Sequence, residues 1–209
     1  FDWQNLLGFF RNHLIAAVEA TDESSYSRVF KIGKSVGVFT VTAKEQQHAL
    51  SVRVHTEDPA VLFAVTQKVR RMFDLDSDPL LVANSFQAEK VMNSLWRKYP
   101  GLRVASGWDP FEVAVCTILG QLVSLKQARE LVGQLVRAYG ERIAHPLNGA
   151  EMHLFPTVEV LRQANLDGVR TSGKRKQAIR HLANLVLTQQ LDLYTPQDPD
   201  CMRELLLAQ

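Results

Sequence analysis

Two short stretches hold residues whose types and order suit work on a nucleic acid. In Ile118-Leu119-Gly120-Gln121-Leu122-Val123-Ser124, a glycine able to end one helix is followed by a serine able to cap the next. Gln121 and Leu122 are thereby left on a tight turn. An exposed leucine beside a glutamine suits a wedge that parts a base step and fills the gap left by an extruded nucleotide. On spacing alone an ordinary turn with Leu122 tucked into the core is the commoner arrangement, and both readings stay open here. The second stretch is Arg170-Thr171-Ser172-Gly173-Lys174-Arg175-Lys176, with Arg180 one turn on. Five basic residues fall within eleven positions and no acid interrupts them. Thr171, Ser172 and Gly173 precede a helix, so free backbone N–H groups and cations there could converge on phosphate. A solvated basic face is the alternative.

Other constellations fall away. The six histidines, His13, His48, His55, His145, His153 and His181, never take HxH or HExxH spacing, so no metal site is expected. There is no GxSxG elbow. Gly168 and Gly173-Lys174 have the spacing of a phosphate loop, but Arg175 stands where a Mg²⁺-binding Ser or Thr belongs and no strand leads into Gly168. Asp198 and Asp200 flank Pro199 at a helix start, where cap and dipole roles suit them better than paired-acid chemistry. Cys116 and Cys201 lie in apolar helical patterns and read as core thiols. With no CxxC, a reduced, cytoplasmic compartment is expected. No cofactor is implied.

Composition bounds the rest. The 209 residues are 46% hydrophobic and 22% charged, which excludes a disordered or collagen-like chain. No run approaches the roughly 18 apolar residues of a membrane span. Lys and Arg number 24 against 22 Asp and Glu, a net +2, so any basic surface must be local. The chain starts at Phe1 and ends within an apolar Leu-Leu-Leu-Ala-Gln run, and is expected to be an excised piece of a longer protein.

The elements that must position these residues follow from periodicity. Asn5 to Leu14 has helical spacing at Leu6, Phe9, Phe10 and Leu14. Tyr26–Ile32 and Val36–Ala43 read as strands around a Gly33-Lys34-Ser35 turn, and Leu50, Val52 and Val54 alternate as a third. Asp58-Pro59 starts a helix whose face is Leu62, Val65, Val69 and Met72. From Asp78-Pro79 onward helical spacing dominates. One helix carries Val91, Leu95 and Trp96, one opens at Asp109-Pro110, one runs from Ala128 to Gly140, one is capped by Thr157, one carries Ile179 to Val186, and a last one starts at Asp198-Pro199. The expected fold class is α+β, with an antiparallel sheet and helices over residues 1–80 and a helical domain over 81–209.

Taken together, certain strings resemble the bacterial alkylbase DNA glycosylases of the AlkA family. They are Phe1-Asp2-Trp3 with Leu7-Gly8-Phe9, Arg71-Met72-Phe73-Asp74-Leu75, Pro100-Gly101-Leu102-Arg103, Asp109-Pro110-Phe111-Glu112 and Ile118 to Ser124. Tyr139-Gly140-Glu141, Phe155-Pro156-Thr157 and His181-Leu182-Ala183-Asn184 follow in the same order. The resemblance spans nearly the whole chain. It implies a TATA-binding-protein-like α+β domain followed by a helix-hairpin-helix glycosylase domain. It further implies a DNA repair hydrolase that flips alkylated bases such as 3-methyladenine from double-stranded DNA and cleaves the N-glycosidic bond as a monomer. By position Leu122 matches the wedge, Gln121 its neighbour facing the gap, and Phe9 an aromatic lining the base pocket. Arg170 and Lys174 fall where backbone contacts are reasonable. The hairpin and the catalytic aspartate would lie after Gln209, so no residue here is assigned to catalysis and the piece alone is expected to be inactive. The alternative is a non-enzymatic DNA-binding or alkylation-response regulatory module on the same fold.

Overall fold

A computed structural model describes residues 1–195, 198, 200 and 203. Two compact units emerge. One comprises Phe1–Leu14, Glu19–Trp108 and His145–Ala150, and the other Ile15–Val18, Asp109–Ala144 and the chain from Glu151 onward.

The first unit is built on a four-stranded antiparallel meander of β1 (Glu19–Thr21), β2 (Ser25–Ile32), β3 (Ser35–Lys44) and β4 (Ala49–Thr56). Its register pairs Tyr26 with Val41, Arg28 with Phe39 and Phe30 with Gly37. These residues share one face, because side chains alternate along a strand. Gly33 turns the chain between β2 and β3 at φ +60°, a conformation that suits glycine. Gly37 is required for another reason: a Cβ there would meet the Phe30 ring at 2.5 Å and the His55 carbonyl at 2.7 Å. Helices α1 (Trp3–Asn12) and α2 (Leu62–Met72) contribute Trp3, Leu6, Phe10, Val65, Val69 and Met72 to the same core as the sheet face. Asp2 caps α1 by accepting from the Asn5 N–H, and Asp58 caps the short 3₁₀ turn Pro59–Val61 that leads into α2.

Within this apolar core lies one charged pair. Arg28 and Glu19 meet at 2.5 Å with their side chains 2% and 8% exposed, and the Tyr26 hydroxyl donates to the same carboxylate at 2.8 Å. The Trp108 ring lies 5.7 Å from the Arg28 guanidinium and 4.9 Å from the Lys68 ammonium. Burial, followed by the Glu19 charge, holds the Tyr26 phenol well above its ordinary pKa.

Helices α3 (Pro79–Ser85) and α4 (Lys90–Lys98) also belong to this unit, and neither buries a residue. The expected apolar face of α4 is present in sequence but uncovered, with Val91 67% exposed. Leu62 likewise departs from the expected core face of α2, at 41% exposed, because it stands at the helix start rather than one turn in.

The second unit holds α5 (Pro110–Gly120), α6 (Leu125–Tyr139), α7 (Val158–Gln163) and α8 (Gly173–Leu187). Helix α5 packs on α6 and α8, and α7 on α8. The fold class is thus α+β, with one difference in its helical part. A small hairpin, β5 (Arg142–Ala144) with β6 (Glu151–His153), follows α6. Three-residue strands are too short to show a two-residue period. The His153 N–H also bonds the Ala17 carbonyl at 2.9 Å, which ties the Ile15–Val18 segment to this unit. Cys116 is half-buried rather than a core thiol. Cys201, the Leu205–Leu207 run and most of the expected last helix lie outside the described residues. Asp198, at its expected start, accepts from the Asp200 N–H at 2.8 Å, as a cap would.

Candidate nucleic-acid interface

The turn between α5 and α6 is set by its two ends. Helix α5 stops at Gly120, and Gln121 swings out to φ −62°, ψ 132°. Helix α6 starts at Ser124, whose hydroxyl accepts from the Gln127 N–H at 3.2 Å. Between them Leu122 adopts φ +55°, in the left-handed region, at a cost of roughly 1–2 kcal/mol for a residue with a side chain. It is fully exposed, at 101% of its reference area, and Gln121 beside it is also exposed. The arrangement with Leu122 tucked into the core is therefore not the one this turn takes. A strained backbone that holds an alkyl side chain out in water buries no apolar surface, so the fold gains nothing from it.

The basic stretch is positioned by α6. The Tyr139 hydroxyl donates to Asn165 Oδ1 at 3.1 Å and accepts from the Gly168 N–H at 3.1 Å. Gln134 Oε1 accepts from the Arg170 N–H at 2.9 Å. Gly168 fits this close approach, since a Cβ there would meet the Ala138 Cβ at 2.7 Å. The close packing accounts for the glycine. Ser172 then caps α8, its hydroxyl accepting from the Arg175 N–H at 3.3 Å.

The five cations do not act alike. Arg170 and Lys174 are exposed, with no side-chain hydrogen bond or ion pair among the described residues. Lys176 pairs with Asp167 at 3.1 Å, an acid just upstream of the run. Arg175 is half-buried and donates to the Gln121 carbonyl and to Thr171 Oγ1. Arg180, one turn on, is half-buried, so the stretch offers two exposed cations, Arg170 and Lys174, at the start of a capped helix. That arrangement favours an anion. In the sequence Arg175 is one of five basic residues in the run, and no local signal gives away its partner 54 residues upstream.

One more anchor was missed. The Tyr194 hydroxyl lies 3.3 Å from both oxygens of Asp109, the cap of α5. Burial and the nearby Asp109 charge push the Tyr194 phenol up to about 12.

Phe9 belongs to the first unit. Helix α1 turns its core face inward at Leu6, Leu7 and Phe10, which leaves Phe9 on the flank at 42% exposed. Its ring stacks on His13 at 4.1 Å between centroids, while His13 Nδ1 bonds the Phe9 carbonyl at 2.8 Å. Among the described residues no group of His, Cys, Asp and Glu could hold a metal ion, and no helix is long and apolar enough to cross a membrane.

Comparison with known proteins gives this geometry a context. The model of the AlkA N-terminal domain matches residues 1–109. DNA-3-methyladenine glycosylase 2 of Escherichia coli is 32% identical over 95% of this chain, which covers 68% of that protein. A Mycobacterium tuberculosis protein named "Probable bifunctional transcriptional activator/DNA repair enzyme AlkA" is 29% identical over 100% of the chain, which spans only 41% of its length. Among solved structures, the 3-methyladenine DNA-glycosylase from Archaeoglobus fulgidus superposes with a TM-score of 0.71 at 18% identity. That match covers 87% of this chain and 63% of the other. The structural likeness carries the fold, while the matched domain and the shared sequence carry descent: the chain belongs to the family marked by the AlkA N-terminal domain.

Proposed function

We propose that the chain is part of a DNA repair glycosylase that hydrolyses the N-glycosidic bond of alkylated bases of the 3-methyladenine type after flipping them from duplex DNA. The observation that carries this reading is Leu122, fully exposed at positive φ on the turn between two capped helices. Extruding a base leaves a gap in the stack, and an alkyl side chain held in water regains its hydrophobic stabilisation by entering that gap. Gln121 beside it supplies an amide able to bond the edges of the remaining bases. Arg170 and Lys174 take the backbone phosphates, which fixes the turn over the duplex without reading sequence. Phe9 offers an aromatic face to an alkylated base, which is cationic and stacks well on an electron-rich ring. Alkylation also makes the base a better leaving group, so less acid catalysis is needed than for an ordinary glycoside. No residue of this chain is assigned to the bond-breaking step, and the reading calls for no cofactor. It also places the protein in the cytoplasm with the DNA, as a monomer. The name of the Escherichia coli protein supports the substrate class.

The test is release of 3-methyladenine from a methylated duplex by the intact protein, with unmethylated duplex as control. Specific release is expected. Tight, salt-sensitive binding to DNA with no base released would turn the assignment to a DNA-binding regulator. The Mycobacterium tuberculosis name, which joins transcriptional activation to repair, keeps that second reading in view.

A further inference from the structure

Arg175 sits in the basic stretch but uses its guanidinium inside the protein. Its bond to the Gln121 carbonyl grips the peptide unit that joins Gln121 to Leu122. The orientation of that unit sets ψ of Gln121 and φ of Leu122, and the second of these stands at +55°. Without an outside hold, a leucine at that angle tends to rotate back to negative φ. The same guanidinium reaches Thr171 Oγ1 at 3.4 Å, and the Arg175 N–H is the one bonded by the cap of α8, Ser172, at 3.3 Å. One side chain thus clasps the start of α8 and the turn that presents Leu122. A planar fork of donors suits two acceptors in this way, which an ammonium does not.

Resting on the wedge reading of Leu122, we infer that Arg175 is a positioning residue for base extrusion: it pins the 121–122 peptide so that Leu122 stands out from the turn, and it is not itself a phosphate contact. Arg170 and Lys174, whose side chains face outward, do the phosphate binding.

The test compares Arg175→Ala, Arg175→Lys, Leu122→Ala and the Leu122→Ala/Arg175→Ala double variant in the intact protein. The probe is a duplex with 2-aminopurine stacked beside 7-methylguanine, whose fluorescence rises when its neighbour leaves the stack. Affinity for undamaged duplex is followed across salt in parallel. Arg175→Ala is expected to lower the extrusion signal about tenfold, the scale of one charge-assisted hydrogen bond, with the salt slope unchanged. The double variant should be no worse than Leu122→Ala, because both changes act through one turn. Arg175→Lys should regain part of the signal, since its ammonium reaches one acceptor. A full signal in Arg175→Ala alongside an impaired Leu122→Ala overturns the positioning role and leaves the wedge standing. A salt slope reduced by about one makes Arg175 a phosphate contact and overturns it too. An unimpaired Leu122→Ala removes the wedge reading, and this inference with it. Should Arg175→Ala not fold, Arg175→Gln takes its place with the same expectations and refutations.

Discussion

Leu122→Ala separates a residue kept for the fold from one kept for DNA. The substitution removes three carbons from a side chain that is already fully exposed. Nothing in the folded protein packs against those carbons, and the Cβ that makes φ +55° unfavourable is retained. Stability should therefore stay within about 0.5 kcal/mol of the parent. Inside a base step the same three carbons would be withdrawn from water, at about 0.8 kcal/mol per carbon group. The loss on the extruded state is then about 2 kcal/mol, or roughly 30-fold in the rate of base release when extrusion limits it. The assay is single-turnover release of 3-methyladenine from methylated duplex by the intact protein, beside a urea melt of the same preparation. Leu122→Gly completes the set: it loses the wedge equally but relieves the left-handed strain, so it should be roughly 1 kcal/mol more stable than Leu122→Ala. Unchanged release by Leu122→Ala would refute the reasoning. So would a destabilisation of several kcal/mol, which would mean that the side chain packs against the protein.

Three further outcomes are expected. Replacing Arg170 and Lys174 by Ala should lower the magnitude of the log–log salt slope of duplex binding by about two, near 0.9 for each phosphate no longer neutralised; an unchanged slope returns the stretch to a solvated face. Glu19→Gln removes the negative charge that faces buried Arg28 and should cost about 3–5 kcal/mol of stability in denaturant, the scale for breaking a buried pair from one side. A loss under 1 kcal/mol would show that Arg28 is held mainly by its other neighbours. The Asp22 carboxyl is pulled from 3.8 to about 2 by the Ser25 hydroxyl and then the Ser24 N–H. Its folded pKa is depressed, so its contribution is present above the ordinary value and fades as pH falls from about 4 towards 2. The stability gap between the parent and Asp22→Asn should close over that window, and a gap constant with pH would contradict it.

What could be read in the chain depended on how local the determining interactions were. Caps lie within three residues of what they bond, so Asp109, Ser124 and Thr157 fixed the starts of α5, α6 and α7 in advance. The alternation of Leu50, Val52 and Val54 foretold β4 because one side of the strand, half-buried, packs on the core through those residues. Periodicity says which residues share a face, but not whether anything covers it. That is why spacing alone placed Val91 and Leu95 together on α4 without showing that both are exposed. For the same reason it left Leu122 undecided between core and solvent. Its φ and its exposure come from the turn as a whole. The partners of Arg175 and Tyr194 lie 54 and 85 residues away, beyond the range of any local pattern.

The bond from Arg175 to Gln121 also has a place in time. Closing a loop of 54 residues carries an entropic cost that grows with its length, whereas α5, α6 and the turn between them form from neighbours. During synthesis residues 110–139 leave the ribosome before α8 does, and early contacts are made among what has emerged. The helical pair can thus assemble with its turn unpinned and free to relax to negative φ. If the Arg175 bond is what holds Leu122 in its left-handed pose, that pose is completed only once α8 has docked, and the protruding side chain is a late product of folding.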